Sequence, residues 1–318
     1  SISVIGTHLE NDFIDQINEK KIHPGLNCAV PSTVKFLKFV KFEEEIKNNI
    51  DLIVIAVTSK GIDWASVELS KVLKNNIPIL ILTKGLAINN NNYEVLAHKM
   101  ERLLKQNGIK ETNITAAGGP CLAKGLANKA QTSVIFANTD IKIAKQISKL
   151  VSTDYYHVFT SEDIVGVETC AAIKNIFSMA VGASQGLCDS IASKEKNYLN
   201  TAAALIQQSI YEMIIIVEKL KGKRETVVGL AGIGDLYVSA DGGRNSKMGE
   251  YLGQGLSFKE AKKTKMPNDT VEGADLALEI GKKIKSDFDS KTLPLMTGII
   301  DTICHEKPLK VDWKNFKG

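Results

Sequence analysis

Three groups of residues in this 318-residue chain could do chemistry. The first is Lys174. On a helix, its neighbours three and four positions away are Cys170, Ala171, Phe177 and Ser178, a small and mostly apolar face. Burial on such a face disfavours the ammonium and lowers a lysine's pKa, so that it can exchange protons near neutrality. The bland alternative is a lysine that snorkels, its stem on apolar surface and its charge in water. The second group lies in Gly229–Asn245, which holds five glycines and runs into a helical pattern from Ser246. Arg244 and Asn245 stand at that helix's start. Free N–H groups and a planar guanidinium there would together bind a phosphate; otherwise the stretch is an interhelical loop with a solvated arginine. The third group is three turns that each follow a β-branched run: Thr58-Ser59-Lys60-Gly61, Thr83-Lys84-Gly85 and Gly118-Gly119-Pro120-Cys121. Glycine permits close backbone approach and lysine supplies charge for an anion, although the same residues are common in ordinary strand-to-helix turns.

Composition narrows the function classes. Hydrophobic residues make up 44% and charged residues 24%, which is globular rather than disordered or fibrous. The net charge of +4 is too mild to argue for nucleic acid. A mean hydropathy of −0.04, with no run of about 18 apolar residues, argues against a membrane span. Of the 40 basic residues only three are arginine, Arg102, Arg224 and Arg244. In a chain that otherwise uses lysine, an arginine beside a glycine-rich stretch is set apart from the solvated cations. The five cysteines are scattered without CxxC spacing and the histidines without HxH or HxxxH spacing, so neither a disulfide framework nor a metal site is expected, and a reducing cytoplasm is the default location.

The elements that must position these residues change character along the chain. Strand patterns at Ile2–Ile5, Leu52–Val57, Ile77–Leu82, Asn113–Ala117, Thr132–Ala137 and Tyr156–Thr160 alternate with helical patterns at Asn11–Lys20, Asp63–Lys74, Tyr93–Gln106 and Ile141–Leu150. That alternation predicts βαβ units and a mostly parallel sheet. Asn89–Asn92 reads as a surface loop. After about residue 160 the pattern is helical: Glu162–Gln185, Leu199–Leu220, Asn245–Gly253, Gly273–Ile284 and Leu295–His305. A boundary is therefore expected between an α/β part, residues 1–160, and an all-α part, residues 161–318.

Taken together, the ordered stretches His23-Pro24-Gly25, Val57-Thr58-Ser59, Thr83-Lys84-Gly85-Leu86, Gly118-Gly119-Pro120, Asp163–Glu168 leading into Ile173-Lys174-Asn175, Gly229–Asp235, Gly242-Gly243-Arg244-Asn245 and Val271-Glu272-Gly273 resemble the NAD(P)-dependent glycerol-3-phosphate dehydrogenases. The resemblance implies a Rossmann-like sheet domain followed by a helical substrate domain, NAD or NADP as cofactor, and a small phosphorylated substrate. The activity implied is hydride transfer between glycerol 3-phosphate and dihydroxyacetone phosphate, supplying glycerol phosphate for phospholipid synthesis. It also implies roles. Lys174 would be the general acid/base, Asp235 its polar partner, and Lys84 would reach substrate and cofactor. Arg244 and the Asn245 backbone would hold the phosphate, with Gly119, Cys121, Asn175 and Ser239 lining the pocket. Thr7, Thr58, Ala123, Val271 and Glu272 would lie along the cofactor, together with Lys84 and Arg244. A homodimer stays open. So do two other functions: a relative acting on another phosphorylated polyol, and a non-catalytic relative without a usable cofactor site.

The chain departs from the family pattern in three places. Gly6 is followed by His8 and Asn11 where a G-x-G-x-x-G loop would carry its second and third glycines. The distance from Val4 to Val54 suits a register in which Ser3–Thr7 is the fold's second strand, with the first strand, its glycine loop and first helix expected before Ser1. That first strand is central in such a sheet, and its neighbours would otherwise keep unpaired N–H and C=O groups. Cys121 replaces the usual Ser or Thr, and Gln208-Ser209 replaces an arginine-glycine pair.

Overall fold

The computed structural model describes residues 1–48, 50–73, 77–188 and 198–317. The first half contains β1 (Ile2–Ile5), α1 (Asn11–Lys20), the short strands β2 (Ile22–His23) and β3 (Cys28–Ala29), β4 (Val34–Leu37), α2 (Phe42–Ile46), β5 (Ile53–Ile55) and α3 (Ile62–Val72). It continues with β6 (Pro78–Ile81), β7 (Leu86–Asn89), β8 (Asn92–Val95), α4 (Leu96–Gln106), β9 (Asn113–Gly118), α5 (Ala123–Ala127), β10 (Thr132–Ala137), α6 (Ile141–Val151) and β11 (Tyr156–Ser161). The described residues beyond Ser161 form no strand. They form α7 (Ile164–Leu187), α8 (Leu199–Lys219), α9 (Arg224–Val227), a π-helical turn at Leu230–Gly234, α10 (Asp235–Ala240), α11 (Arg244–Gly253), α12 (Phe258–Thr264), α13 (Glu272–Asp287) and α14 (Pro294–His305). The fold is thus a Rossmann-like α/β part followed by an all-helical part, as the patterning implies. β11 overruns the boundary expected after residue 160 by one residue.

The main sheet has the order β11-β10-β9-β6-β5, parallel throughout except where β9 meets β10. Its strand side chains alternate between two cores. Ile79 and Ile81 join the large apolar cluster that continues into α7 through Ile173 and Phe177, whereas Leu80 joins Val134, Phe136 and Ile147 in a smaller cluster. β1 pairs only with β4, in a separate parallel two-stranded sheet, and β5 pairs only with β6, so among the described residues each keeps one unpaired edge. Those strands also carry exposed apolar side chains, Ile2, Val4 and Val54.

Two expectations change. The helix expected over Tyr93–Gln106 begins only at Leu96, because Tyr93–Val95 belong to β8. The four asparagines are not a simple loop: Asn89 and Asn92 are paired strand residues, and Asn90 and Asn91 turn the hairpin with φ of 46° and 61°. Asparagine tolerates that left-handed backbone better than most residues. The end of the helix expected over Asp63–Lys74 falls partly outside the described residues, which Lys74 does not join.

α7 is the spine of the molecule. By length and composition it could cross a membrane, contrary to the expectation of no such segment, but 94% of its most apolar window is buried inside the protein. It meets α11 backbone to backbone. A Cβ added at Gly182 would stand 2.2 Å from the Ser246 carbonyl oxygen, and one at Gly186 2.0 Å from that of Glu250. From the other side, a Cβ at Gly249 would stand 1.9 Å from the Met179 carbonyl oxygen, and one at Gly253 2.4 Å from that of Ala183. These two pairs of glycines, each four residues apart, leave no room for any side chain along the seam. Against the sheet part, α7 offers the buried Glu168 carboxylate, which accepts the Ala97 N–H at 3.1 Å near the start of α4. Burial pushes the Glu168 carboxyl up to about 8, against the opposing effect of backbone N–H groups at Ala97 and Leu96.

Gly249→Ala should cost about 3 kcal/mol or more, at or beyond the usual overpacking range, because the clash is with backbone; an unchanged urea midpoint would contradict the seam. Glu168 yields a pH prediction. Its folded pKa lies above the unfolded value of about 4.3, so its contribution is full below that value and is lost as pH rises through about 8. Stability should fall over that window, by at most about 1.4 kcal/mol per pH unit from this one proton. Glu168→Gln, which mimics the protonated acid, should flatten the decline between about pH 4.3 and pH 8 in denaturation titrations.

Candidate active site

The site forms where the carboxyl ends of the parallel strands face the helical part. β6 ends at Ile81 and leads to Lys84, and Thr83 Oγ1 donates to the Val57 carbonyl at 2.6 Å, tying this turn to the end of β5. β9 ends at Gly118 and is followed by Gly119. Gly119 has φ of 105°, a backbone conformation that glycine alone adopts readily. A Cβ at Gly118 would come 2.7 Å from Val167 Cγ1 on α7, so the strand end is pressed directly onto the spine. Beyond it, Pro120 packs near Gly234, the last residue of the π turn, which leads straight into Asp235. A π turn adds a residue to the helical path and re-aims the next turn of helix. The glycine-rich stretch is therefore largely helical, and it delivers an aspartate as well as an arginine.

Asp235 is the centre of the cluster. Lys174 Nζ donates to its Oδ1 at 2.8 Å, and Lys84 Nζ donates to its Oδ2 at 2.8 Å. Lys174 also donates to Ser239 Oγ at 2.5 Å, one helical turn after Asp235. Lys174 and Asp235 are 6% and 2% exposed, whereas Lys84 is half-buried. Lys174 therefore does not snorkel. Burial pulls its ammonium below the ordinary lysine range, the nearby Lys84 charge adds to that, and the Asp235 carboxylate works in the opposite direction. Two cations share one carboxylate, leaving the cluster a net positive charge that suits an anionic ligand.

A second cluster adjoins the first. Asn175, next to Lys174, accepts from Asn245 Nδ2 at 3.0 Å, and Asn245 Oδ1 accepts the Gly273 N–H at 2.9 Å. Arg244 opens α11, and one of its terminal nitrogens donates to Glu272, which opens α13. That ion pair is about half exposed. Sequence reasoning did not foresee it, since the two residues are 28 positions apart. Val271 is buried directly before Glu272. Cys121 lies within electrostatic reach of Lys84 and Asp235, but burial raises its thiol, so it is not a ready nucleophile.

Three expected residues, Thr7, Thr58 and Ala123, are joined to neither cluster by a hydrogen bond among the described residues. Thr58 follows β5 and Ala123 starts α5; both are exposed and stand outside the hydrogen bonds that join Asp235, Lys174 and Lys84. Thr7 follows β1, and its N–H and hydroxyl both donate to Glu10 Oε2, at 2.6 and 2.5 Å. His8 packs edge-on against Trp64 of α3, which places the end of β1 beside the helix that follows β5. The donor set fits a dinucleotide: a row of strand ends with glycine backbone, a cation at Lys84, and a helix start at Val271-Glu272. Ser239 was reached in the sequence only through resemblance. Its i+4 spacing from Asp235 is the signal that could have found it.

A sheet whose strand ends face a helical part that supplies a buried lysine–aspartate pair defines a two-part dinucleotide-dependent oxidoreductase. Family models agree in detail. Residues 3–144 match the N-terminal domain, and residues 163–312 the C-terminal domain, of NAD-dependent glycerol-3-phosphate dehydrogenase. The chain is 32% identical over 277 residues to glycerol-3-phosphate dehydrogenase [NAD(P)+] of Clostridium tetani, covering 86% of this chain and 74% of that protein. It is 28% identical over 291 residues to the NADP(+)-dependent glycerol-3-phosphate dehydrogenase of Archaeoglobus fulgidus, covering 90% and 84%. In fold it is similar to the crystal structure of glycerol-3-phosphate dehydrogenase from Coxiella burnetii, with a TM-score of 0.79 at 24% identity over 96% of this chain and 88% of that one. The chain belongs to the NAD-dependent glycerol-3-phosphate dehydrogenase family.

The electrostatics can be tested without assuming a substrate. Asp235→Asn removes the carboxylate that holds the Lys174 ammonium up, so the Lys174 pKa should fall further. The pH profile of Lys174 acylation, read by mass spectrometry, should move to lower pH. A shift to higher pH would show that another group controls this lysine.

Proposed function

We propose that this protein catalyses reversible hydride transfer between glycerol 3-phosphate and dihydroxyacetone phosphate with NAD or NADP. On this reading residues 1–160 hold the dinucleotide and residues 161–318 the substrate, and the reaction supplies glycerol phosphate for phospholipid synthesis in a reducing cytoplasm. The scattered spacing of the five cysteines supports that location. The observation that carries the proposal is Lys174 held by Asp235 and Ser239 beside the start of α11.

A bound nicotinamide supplies the hydride acceptor in one direction and the hydride donor in the other. Thr7, Thr58, Lys84, Ala123, Arg244, Val271 and Glu272 are the residues we assign to holding the dinucleotide. The rest of the chemistry belongs to the protein. Lys174 Nζ has two acceptors fixed on it, which leaves its remaining position for the C2 oxygen of the substrate. With its ammonium destabilised by burial, it takes the hydroxyl proton during oxidation and returns one to the carbonyl during reduction. Asp235 keeps Nζ oriented and Lys84 stabilises negative charge on the C2 oxygen. Arg244 and the Asn245 N–H at the start of α11 bind the phosphate, with Gly119, Cys121 and Asn175 around it. Binding that remote group orients the reacting carbon.

The test is turnover of glycerol 3-phosphate followed by the absorbance of reduced cofactor. Lys174→Met should lower kcat by about 10²–10⁴, the usual worth of a positioned acid/base. Arg244→Ala should lower kcat/KM for glycerol 3-phosphate by roughly 10–100-fold, as for a charge-assisted contact. It should do far less to any turnover of unphosphorylated glycerol. No reduction of either cofactor with glycerol 3-phosphate, together with cofactor reduction on a different polyol phosphate, would overturn the proposal.

A further inference from the structure

We infer that the Asn245 side chain is a positioning residue that fixes which way the Asn175 amide faces, and that a backbone N–H of α13 sets this orientation. The inference rests on the substrate reading above and adds a role for a side chain that the reading uses only through its backbone.

Hydrogen-bond polarity fixes both amides. The Gly273 N–H can only donate, and it donates to Asn245 Oδ1 at 2.9 Å. Asn245 must therefore turn its oxygen toward α13. Its Nδ2 then points to α7, where it donates to Asn175 Oδ1 at 3.0 Å. Asn175 must in turn give up its oxygen to that bond. Its own Nδ2 carries two N–H donors and makes no hydrogen bond to the described residues. Turning either amide over would set donor against donor. Asn175 and Asn245 are 8% and 7% exposed, so water could not easily repair the mismatch. The approach is also sterically fixed: a Cβ at Gly273 would stand 2.4 Å from the Asn175 carbonyl oxygen. α13 thus meets α7 at the backbone, and one of its free N-terminal N–H groups is spent on the relay.

The consequence is chemical. Lys84 and Lys174 each donate to one oxygen of Asp235, and Asn175 directly follows Lys174 in α7, so its amide adds donors next to two cations. A site of donors selects ligand oxygens that accept, such as a phosphate or a carbonyl. With the amide reversed, Asn175 would show a carbonyl oxygen and repel them. Asn245 acts through Asn175 and need not touch the ligand with its side chain. The relay also links the substrate side to the start of α13, where we assign Val271 and Glu272 to the cofactor.

Asn245→Asp tests this. The carboxylate still accepts the Gly273 N–H but cannot donate to Asn175, so the Asn175 amide should turn and donate instead. KM for glycerol 3-phosphate should rise by about 10–100-fold, the effect of a lost charge-assisted donor, with a smaller change in kcat. Asn245→Ser, which removes the donor without adding charge, should move KM in the same direction by a smaller factor, and it serves should the aspartate variant fail to fold. In an Asn175→Ala background, either substitution should add little, because its route to the ligand is gone. The same factor in both backgrounds would overturn the relay. A readout independent of activity is hydrogen exchange of the Asn175 side-chain NH₂ by NMR. Exchange should slow in Asn245→Asp as that group becomes bonded inside the protein, and unchanged exchange would overturn the inference. Failure of the unsubstituted protein to turn over glycerol 3-phosphate, with the exchange result as expected, would instead count against the substrate reading alone.

Discussion

Everything at this site depends on helices that touch without side chains between them. Helices normally pack with axes about 8–10 Å apart because side chains intervene. Where Gly182 and Gly186 of α7 face Gly249 and Gly253 of α11, an added Cβ would fall about 2 Å from opposing carbonyl oxygens. Gly273 repeats the contact for α13. Three helices therefore converge on Lys174 and Asn175, with the starts of α11 and α13 held by backbone rather than by adaptable side chains. The benefit is geometric. A displacement of about 1 Å can cost about 10² in rate, and a seam made of backbone has little freedom to drift.

That rigidity holds a charge arrangement which would not persist in water. Lys174 and Asp235 are both nearly inaccessible, and the carboxylate also serves Lys84. Burying a pair of opposite charges costs desolvation that their attraction only partly returns. Adding a second cation to one carboxylate lowers the free energy of losing a proton from Lys174, because burial and the Lys84 charge act in the same direction on it. The arrangement is poor as a structural ion pair and suitable as a proton-transfer site. Lys84 comes from the sheet part and Asp235 and Lys174 from the helical part, so the cluster also depends on how Gly118 and Glu168 press the two parts together.

How much of this was legible in the sequence depended on the range of the interaction. Local periodicity is carried by neighbours in the chain, and it placed α1, β10 and most of α7 and α8 to within a few residues. The apolar face around Lys174 is also local; it allowed either a buried, perturbed lysine or a snorkelling one, and only the 6% exposure in the fold decides for the first. What could not be read was tertiary. Tyr93 reads as helical by pattern, yet it pairs with Ile88 across the Asn90-Asn91 turn. Arg102, which has no motif around it, forks both oxygens of Glu94 at 2.8 and 2.7 Å, and so has a partner eight residues away in β8. Gln208, a departure from the family pattern, is buried and bridges Glu212 to the Lys317 N–H, while Glu212 accepts two N–H groups at the start of α14. Burial raises the Glu212 carboxyl to about 7, against the opposing effect of its bonds from Gln208 and from the Leu295 and Met296 N–H groups. The substitution thus has a structural meaning that only the C-terminal segment reveals.

Arg244 shows where local and tertiary information must be combined. Its rarity and its position at a helix start pointed to a phosphate fork, and it is found paired with Glu272. The pairing does not cancel the assignment. Both side chains are about half exposed, and an ion pair in that setting is worth roughly 0–1 kcal/mol. A phosphate brings more acceptor oxygens and more charge than one carboxylate, and it meets the helix start as well as the guanidinium. Glu272 meanwhile holds the long arginine side chain beside α13, so less rotamer entropy remains to be lost when the anion arrives. On the proposed reading, a weak acidic partner aims the fork without occupying it firmly, and it would tie the orientation of the phosphate group to the helix assigned to the cofactor.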